Sequence, residues 1–428
     1  MRDTALVLAI LGVLAAALLY PFAGVILWTW FTVQNPHEEA YGFSHDLPLN
    51  LIIAVVTIGA WLISRDRKMP PGHFLIWTMF IFLAWMTFNS FFAYSPAWSW
   101  PFWSRTWKIF ALALIVATMA TNRVRIHAII WTIVISLFYY GVKGGIFTLM
   151  TGGNYHVLGP ESSIISDNNQ LALALLTCLP LANYLRMQSA NRYVSMALAV
   201  GMGFTLISVV GSYSRGAIVA LAALAVFGWF RSRRKILFLA LAGVFAFGAV
   251  TFMPDAFWDR VGTIQTAQDD ASFHGRVVAW QVATKYANDH FPLGAGFYGP
   301  QLPGIFHSYF PQEEPHAAHS IYFQVLGEHG YIGLFLYLLM IAGAFWTSAS
   351  IMRSTRGVEE LAWARNLALM MQTSMVAFCV GGAALSMAYY DVFILCIALF
   401  VPMSELVKAQ IRTSQQPVLP KQLVAAQS

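Results

Sequence analysis

The stretch HAAHSIYFQVLGEHGYIG, residues 316–333, opens with two histidines in a polar segment and runs on into FLYLLMIAGAFW, residues 335–346. Read as one piece, it is a polar loop passing without a break into a long apolar helix, the point where chemistry meets a membrane. The rest of the chain supports that frame. Of 428 residues, 58% are apolar and only 10% charged, far outside the range of soluble domains. The apolar runs are of the length a helix needs to cross a bilayer core, about 20 residues, so the expected fold is all-α and polytopic and a membrane barrel is excluded. Cys178, Cys379 and Cys396 all lie inside apolar runs and are expected to be packing residues.

Twelve apolar segments are expected as spans, near residues 5–33, 48–64, 73–93, 103–120, 126–150, 168–187, 194–210, 213–230, 235–252, 320–350, 366–389 and 391–407. The first is too long for one untilted crossing, and Pro21 marks a kink or a re-entrant pair. It is counted as one crossing because the basic residues then fall into order. With the N-terminus inside, Arg2, Arg65, Arg67, Lys68, Arg123, Arg125, Arg186, Arg192, Arg231, Arg233, Arg234, Lys235, Arg353, Arg356, Arg365, Lys408, Arg412 and Lys421 share one side, as the positive-inside rule requires. The resulting organisation is nine N-terminal helices over 1–252, a large outer loop over 253–319 between spans nine and ten, three further helices over 320–408, and a cytoplasmic tail over 409–428. A net charge of +6 dispersed in this way is explained by topology and gives no reason to expect nucleic acid as a partner; membrane lipids are the partner composition does imply.

Seven cations escape the topological account: Arg105, Lys108, Lys143, Arg215, Arg260, Arg276 and Lys285. An outward or intramembrane cation is costly without an anionic partner, so an anion site is sought among them. Arg215, in GSYSRGA, stands at the outer start of an otherwise uncharged span, where a guanidinium fork suits phosphate oxygens and snorkelling to headgroups is the plainer alternative. Lys143, in YYGVKGGIF, is balanced between a substrate contact and a structural charge. Arg105 and Lys108 lie in the tryptophan-rich PAWSWPFWSRTWK, which reads first as an interfacial anchor. Asp167, Asn168 and Asn169 read as helix caps. Within the large loop, GRVVAWQVATKYA carries apolar residues at Val277, Trp280, Ala283, Tyr286 and Ala287, one face of a helix lying on the membrane or the bundle, and FPLGAGFYGPQLPG reads as turns. His316 and His319, three apart at a helix start, are expected to face the same side. No HExxH or paired-cysteine spacing accompanies them, so the expected metal content is none; a histidine at a membrane boundary suits proton transfer instead.

The segment HSIYFQVLGEHGYIG resembles the signature of the O-antigen ligase family: a histidine, then Asn, Ser or Gln, nine residues, and Gly-x-x-Gly, here His319, Ser320 and Gly330 to Gly333. Arg215 and Arg276 are similar in position and context to the family's two arginines. NPHEEAYGF, GVKGGIFTLMTGGNYHVLGPESS, DNN and GSYSRGA look like the subgroup of O-glycosylation ligases of exosortase A systems. The resemblance implies a glycan donor on undecaprenyl pyrophosphate, an acceptor hydroxyl on lipid A core or on protein, no cofactor, and a site at the periplasmic face of the bacterial inner membrane. It implies His319 as the catalytic base and Arg215 and Arg276 on the pyrophosphate, with Lys143, His316 and Arg105 as secondary candidates. No carboxylate pair is evident near the histidine, so inversion without a covalent intermediate and without a metal is expected. A protein O-oligosaccharide ligase and an O-antigen polymerase share this chemistry. The rival from another class is a lipid-linked sugar transporter, which twelve spans suit but which inverted repeats and acidic groups at span centres would mark, and neither is evident.

Overall fold

The computed structural model describes residues 2–40, 42–64, 71–231, 234–262 and 271–415. Arg65, Arg67, Lys68, Arg233, Lys421 and most of the tail lie outside the described residues. The described chain is all helix and connecting loop: α1 Arg2–Leu19, α2 Pro21–Gln34, α3 Leu49–Ile63, α4 Phe74–Phe91, α5 Pro96–Met119, α6 Arg123–Met150, α7 Asn168–Gln188, α8 Arg192–Gly211, α9 Arg215–Arg231, α10 Lys235–Phe252, α11 Asp255–Gly262, α12 Ala271–Asp289, α13 Pro303–Tyr309, α14 Ile321–Ser354, α15 Ala362–Gly381 and α16 Asp391–Gln415. Helices start where short polar side chains can satisfy otherwise orphaned amides. Asn122, Asp167 and Asn191 each accept such a bond, at 2.8–2.9 Å, at the starts of α6, α7 and α8. Within the bundle, hydroxyls such as those of Thr29, Thr106 and Thr205 return to the carbonyl four residues back, so few polar groups are left bare in an apolar setting.

Eight of these helices, α1, α4, α6, α8, α10, α14, α15 and α16, are long and apolar enough to cross a membrane, which makes the chain a polytopic membrane protein. The other expected spans, α3, α5, α7 and α9, are shorter or more polar. One end gathers residues 35–40, 42–46, 92–99, 151–168, 211–215 and the described parts of the large loop. The other gathers the basic turns around Arg123, Gln188 and Arg365.

The first apolar run is two helices folded back on one another, where a single crossing was expected. Tyr20 leaves helical geometry (φ −128°, ψ 82°) before Pro21 starts α2. Asp3 then meets the segment that follows α2: its carboxylate accepts from the backbone amide of Ser44 at 3.1 Å and from its hydroxyl at 2.7 Å. The turn at Leu19–Phe22 lies instead beside Ile63, Ser64 and Arg125. Arg2 therefore sits at the loop-bearing end, away from Arg123 and Arg125. The physical reason is Pro21, which has no amide hydrogen to continue the helix and is pre-shaped for a helix start.

The segment quoted at the outset also differs from expectation. α14 is two helices joined at Gly330, whose φ of 67° and ψ of −171° belong to a region that side-chain-bearing residues avoid. The break frees carbonyls that a straight helix would have used, and the large loop takes them. Ala295 N donates to Gly327 O, and Gly296 N to Glu328 O, both at 2.9 Å. Asn89 of α4 donates to Glu328 O (2.8 Å) and accepts from Gly294 N (2.9 Å), while the Trp85 indole donates to His329 O (2.8 Å). Gly294 permits this approach, because a side chain there would collide with the backbone of Glu328. The loop is thus stitched into the bundle at the level of the break.

Candidate active site at the loop-bearing end

α12 lies along the first part of α14, on the bundle as one of the two expected placements had it. Its buried face is Val278, Ala279, Val282, Ala283, Tyr286 and Ala287, which includes Ala283, Tyr286 and Ala287 of the expected stripe, while Val277 and Trp280 are half-buried. Trp280 makes two contacts. Its indole donates to Ala318 O at 2.6 Å, and its ring stacks on Phe323 at 4.9 Å. The segment 316–319 is thereby clamped to the helix that carries Arg276. One residue away, Gly275 leaves room for His316, whose ring atom Cδ2 would stand 2.7 Å from a Cβ placed there.

His316 and His319 do not share a helical face, contrary to expectation, because both precede α14. His319 has φ 42° and Ser320 is extended, so the chain turns sharply just before the helix begins at Ile321. His319 is left exposed while Ser320 is buried. Although the imidazole reaches solvent, desolvation by the surrounding protein pushes its pKa below the usual value. The Arg276 guanidinium and His316 push in the same direction, and Asp167 opposes them. His319 is therefore biased toward the neutral form that can accept a proton.

Asp167 connects this centre to Arg215. It caps α7 as expected, and its neighbour Asn168 donates to Ser212 O at 2.6 Å, tying α7 to the turn before α9. In that turn Ser214 Oγ accepts from Ala217 N (3.1 Å), Tyr213 adopts φ 58°, and Arg215 follows as the first, half-buried residue of α9. A second bridge is the short turn Gly382–Ala384 after α15. Ala384 lies against Gly216 and Gly382 against Ile321, so the starts of α9 and α14 share a neighbour. Arg276 and Asp167 thus act on His319, and the start of α9, which carries Arg215, is tied to the starts of α7 and α14 through Asn168 and the Gly382–Ala384 turn.

Other candidates have different surroundings. Lys143 is exposed, ion-paired with Glu39 at 3.2 Å and set over the Tyr139 ring, which favours the structural side of its balanced reading. Arg260 donates to Tyr213 O at 3.2 Å, beneath the turn that presents Arg215, and Lys285 lies over the Phe310 ring. Arg105 is half-buried on α5, where its charge acts on Lys108 and on Asp391. His316 is exposed beside Gly275 and lines a cleft that reaches inward to Glu328. Sequence reasoning passed over Glu328, Gln324 and Ser386. A carboxylate near the start of an apolar helix was the available signal for Glu328, since such groups are rarely idle.

Fold and site together define a polytopic membrane protein whose polar centre is built at one bundle end. Residues 172–338 match the model of a family described as O-antigen ligase. Residues 1–190 match a family of unknown function, and no curated protein matches the chain. The O-antigen ligase match contains Arg215, Arg276, His319, the break at Gly330 and Gly333.

Proposed function

We propose that this protein moves a glycan en bloc from undecaprenyl pyrophosphate to an acceptor hydroxyl, with its loop-bearing end facing the periplasm from the bacterial inner membrane. The observation that supports the reading is that Arg276 and His319, both inside the O-antigen ligase match, are near enough for the Arg276 charge to act on the imidazole, with Arg215 at a neighbouring helix start in the same match. Arg215 and Arg276 neutralise the leaving pyrophosphate, which two guanidinium groups do without a metal. His319, held neutral, orients the acceptor hydroxyl and takes its proton as the oxygen attacks the anomeric carbon from the face opposite the leaving group, giving inversion. The polyprenyl chain lies against apolar helices beside the site. The lipid A core is the acceptor preferred here; the subgroup likeness of NPHEEAYGF and GSYSRGA to O-glycosylation ligases keeps a protein acceptor as the alternative. The test incubates purified protein with lipid-linked glycan and either lipid A core or a candidate acceptor protein, with and without EDTA. Transfer to one acceptor that survives chelation is expected; absence of transfer to both defeats the reading.

A further inference from the structure

Arg260, one of the seven cations that topology leaves over, reaches from α11 to the turn that presents Arg215. The helical bonds of α9 begin with Ile218 N donating to Ser214 O at 3.1 Å, so the carbonyl of Tyr213, one residue earlier, falls outside the helix. Arg260 Nε donates to that carbonyl at 3.2 Å.

Tyr213 is a residue that needs holding. Its φ of 58° lies in the left-handed region, which a tyrosine keeps only where its surroundings over-determine it. Those surroundings come from three directions. From the segment 151–168, Val157 N donates to Gly211 O at 3.1 Å, and Gly153 O accepts from the Tyr213 hydroxyl at 2.6 Å. From α7, Asn168 donates to Ser212 O at 2.6 Å. From α11 come Arg260 and Phe257, whose buried ring meets the buried Tyr213 ring edge-on at 5.3 Å. The first two grips belong to the helical bundle, and the third to the first helix of the large loop. Arg260 is itself exposed, where a bond adds little stability. What it fixes is the carbonyl two residues before Arg215, and with it the direction in which α9 sets out.

We infer that Arg260 is a positioning residue for the donor site: by holding the Tyr213 carbonyl it sets Arg215 in the orientation that receives the pyrophosphate. The inference rests on the pyrophosphate role proposed for Arg215 and deepens it, since the large loop then steadies one donor arginine besides supplying the other, Arg276. Arg260 acts through Arg215 and not on the donor itself.

A double-mutant cycle separates this role from a structural one. The purified full-length protein is titrated calorimetrically with farnesyl pyrophosphate, a short polyprenyl pyrophosphate that carries no glycan. Arg260→Gln should weaken binding about fivefold to tenfold, the loss of one hydrogen bond, with its melting temperature matching the parent's. Arg260→Lys should recover most of the affinity, because a single bond to a carbonyl needs no planar fork. In an Arg215→Ala background, Arg260→Gln should change affinity by less than about twofold, since the group it positions is gone. Effects of the two substitutions that multiply overturn the positioning role, as does unchanged affinity in Arg260→Gln, and with glycan transfer intact either result leaves the transferase standing. Binding that Arg215→Ala does not alter, or no binding at all, overturns the inference together with the pyrophosphate role of Arg215. A coupled cycle in a protein that transfers no glycan supports the positioning and defeats the transfer reading.

Discussion

The two ends of the bundle use arginine for opposite purposes. At the end away from the large loop, Arg125 donates to Met119 O at 3.0 Å, Arg365 to Thr355 O at 3.1 Å, and Arg123 to Gln188 at 2.9 Å. These guanidinium groups close turns between helices and complement carbonyls left over at helix C-termini. At the loop-bearing end, Arg276 instead shares its field with His319, and Arg215 opens a helix two residues after a left-handed tyrosine. The difference lies in what each guanidinium meets: Arg125 and Arg365, although carried in the first turns of α6 and α15, reach back to carbonyls at the end of the preceding helix, whereas the charge of Arg276 falls on a titratable histidine.

The comparison is sharpened most by the change with the largest expected effect. His319→Gln keeps a hydrogen-bonding side chain but cannot take the proton, so transfer should fall by about 10² to 10⁴ with folding and donor binding retained. A rate near the parental one in a radiolabelled-glycan transfer assay would show that His319 only positions the acceptor. Next, Arg215→Ala and Arg276→Gln should each lose a charge-assisted contact of about 1.5–3 kcal/mol, roughly tenfold to 150-fold in kcat/KM, with Lys at position 215 a partial rescue. Full activity in either variant at normal membrane levels removes that arginine from the pyrophosphate.

A smaller effect is read from pH. A base must be neutral, and the pKa of His319 is lowered, so the acid limb of kcat/KM should fall below the ordinary histidine value of about 6.5. Removing a positive neighbour raises a histidine pKa, so Arg276→Gln should move the limb to higher pH. Asp167→Asn removes the opposing negative charge and should move it lower. Limbs that do not move in opposite directions would disconnect these charges from His319. At the other end Arg365→Gln should change transfer by less than about twofold, with only a modest drop in thermal stability. Finally, cysteines placed at Gln312 and Ala190 should label from opposite sides of spheroplasts, with an N-terminal tag exposed on the same side as Gln312. A tag on the Ala190 side would contradict the α1–α2 hairpin.

Much of this was legible in the sequence because the constraints are local or one-dimensional. Apolar length marked the helices, capping chemistry placed Asp167 at the start of α7, and residues 291–304 read as turns. What was hidden depends on pairing across the fold. Nothing in a continuous apolar run announces that Gly330 breaks it, since a glycine inside a helix and a glycine at a break look alike until the loop that takes the freed carbonyls is known. Pro21 was visible, but its reading as one crossing rested on charge parity, and the Asp3–Ser44 contact that decides otherwise spans 41 residues. Helical spacing misled for His316 and His319 because they sit one turn too early. The expected α12 stripe held at Ala283, Tyr286 and Ala287 but not at Trp280, whose stack on Phe323 depends on a helix further along the chain.

The stitching at Gly330 bears on how such proteins can be recombined. The strand-like residues Gly294–Gly296 are bonded to the broken helix, to Asn89 of α4 and, through Ala295 O, to Tyr94 N. The large loop is therefore no detachable cassette. A chimera that exchanges residues 253–319 alone would leave amides and carbonyls mismatched on three separate stretches of chain. One that carries the end of α4 and residues 327–330 along with the loop keeps the whole seam, and that is the smallest unit of this architecture expected to be transplantable.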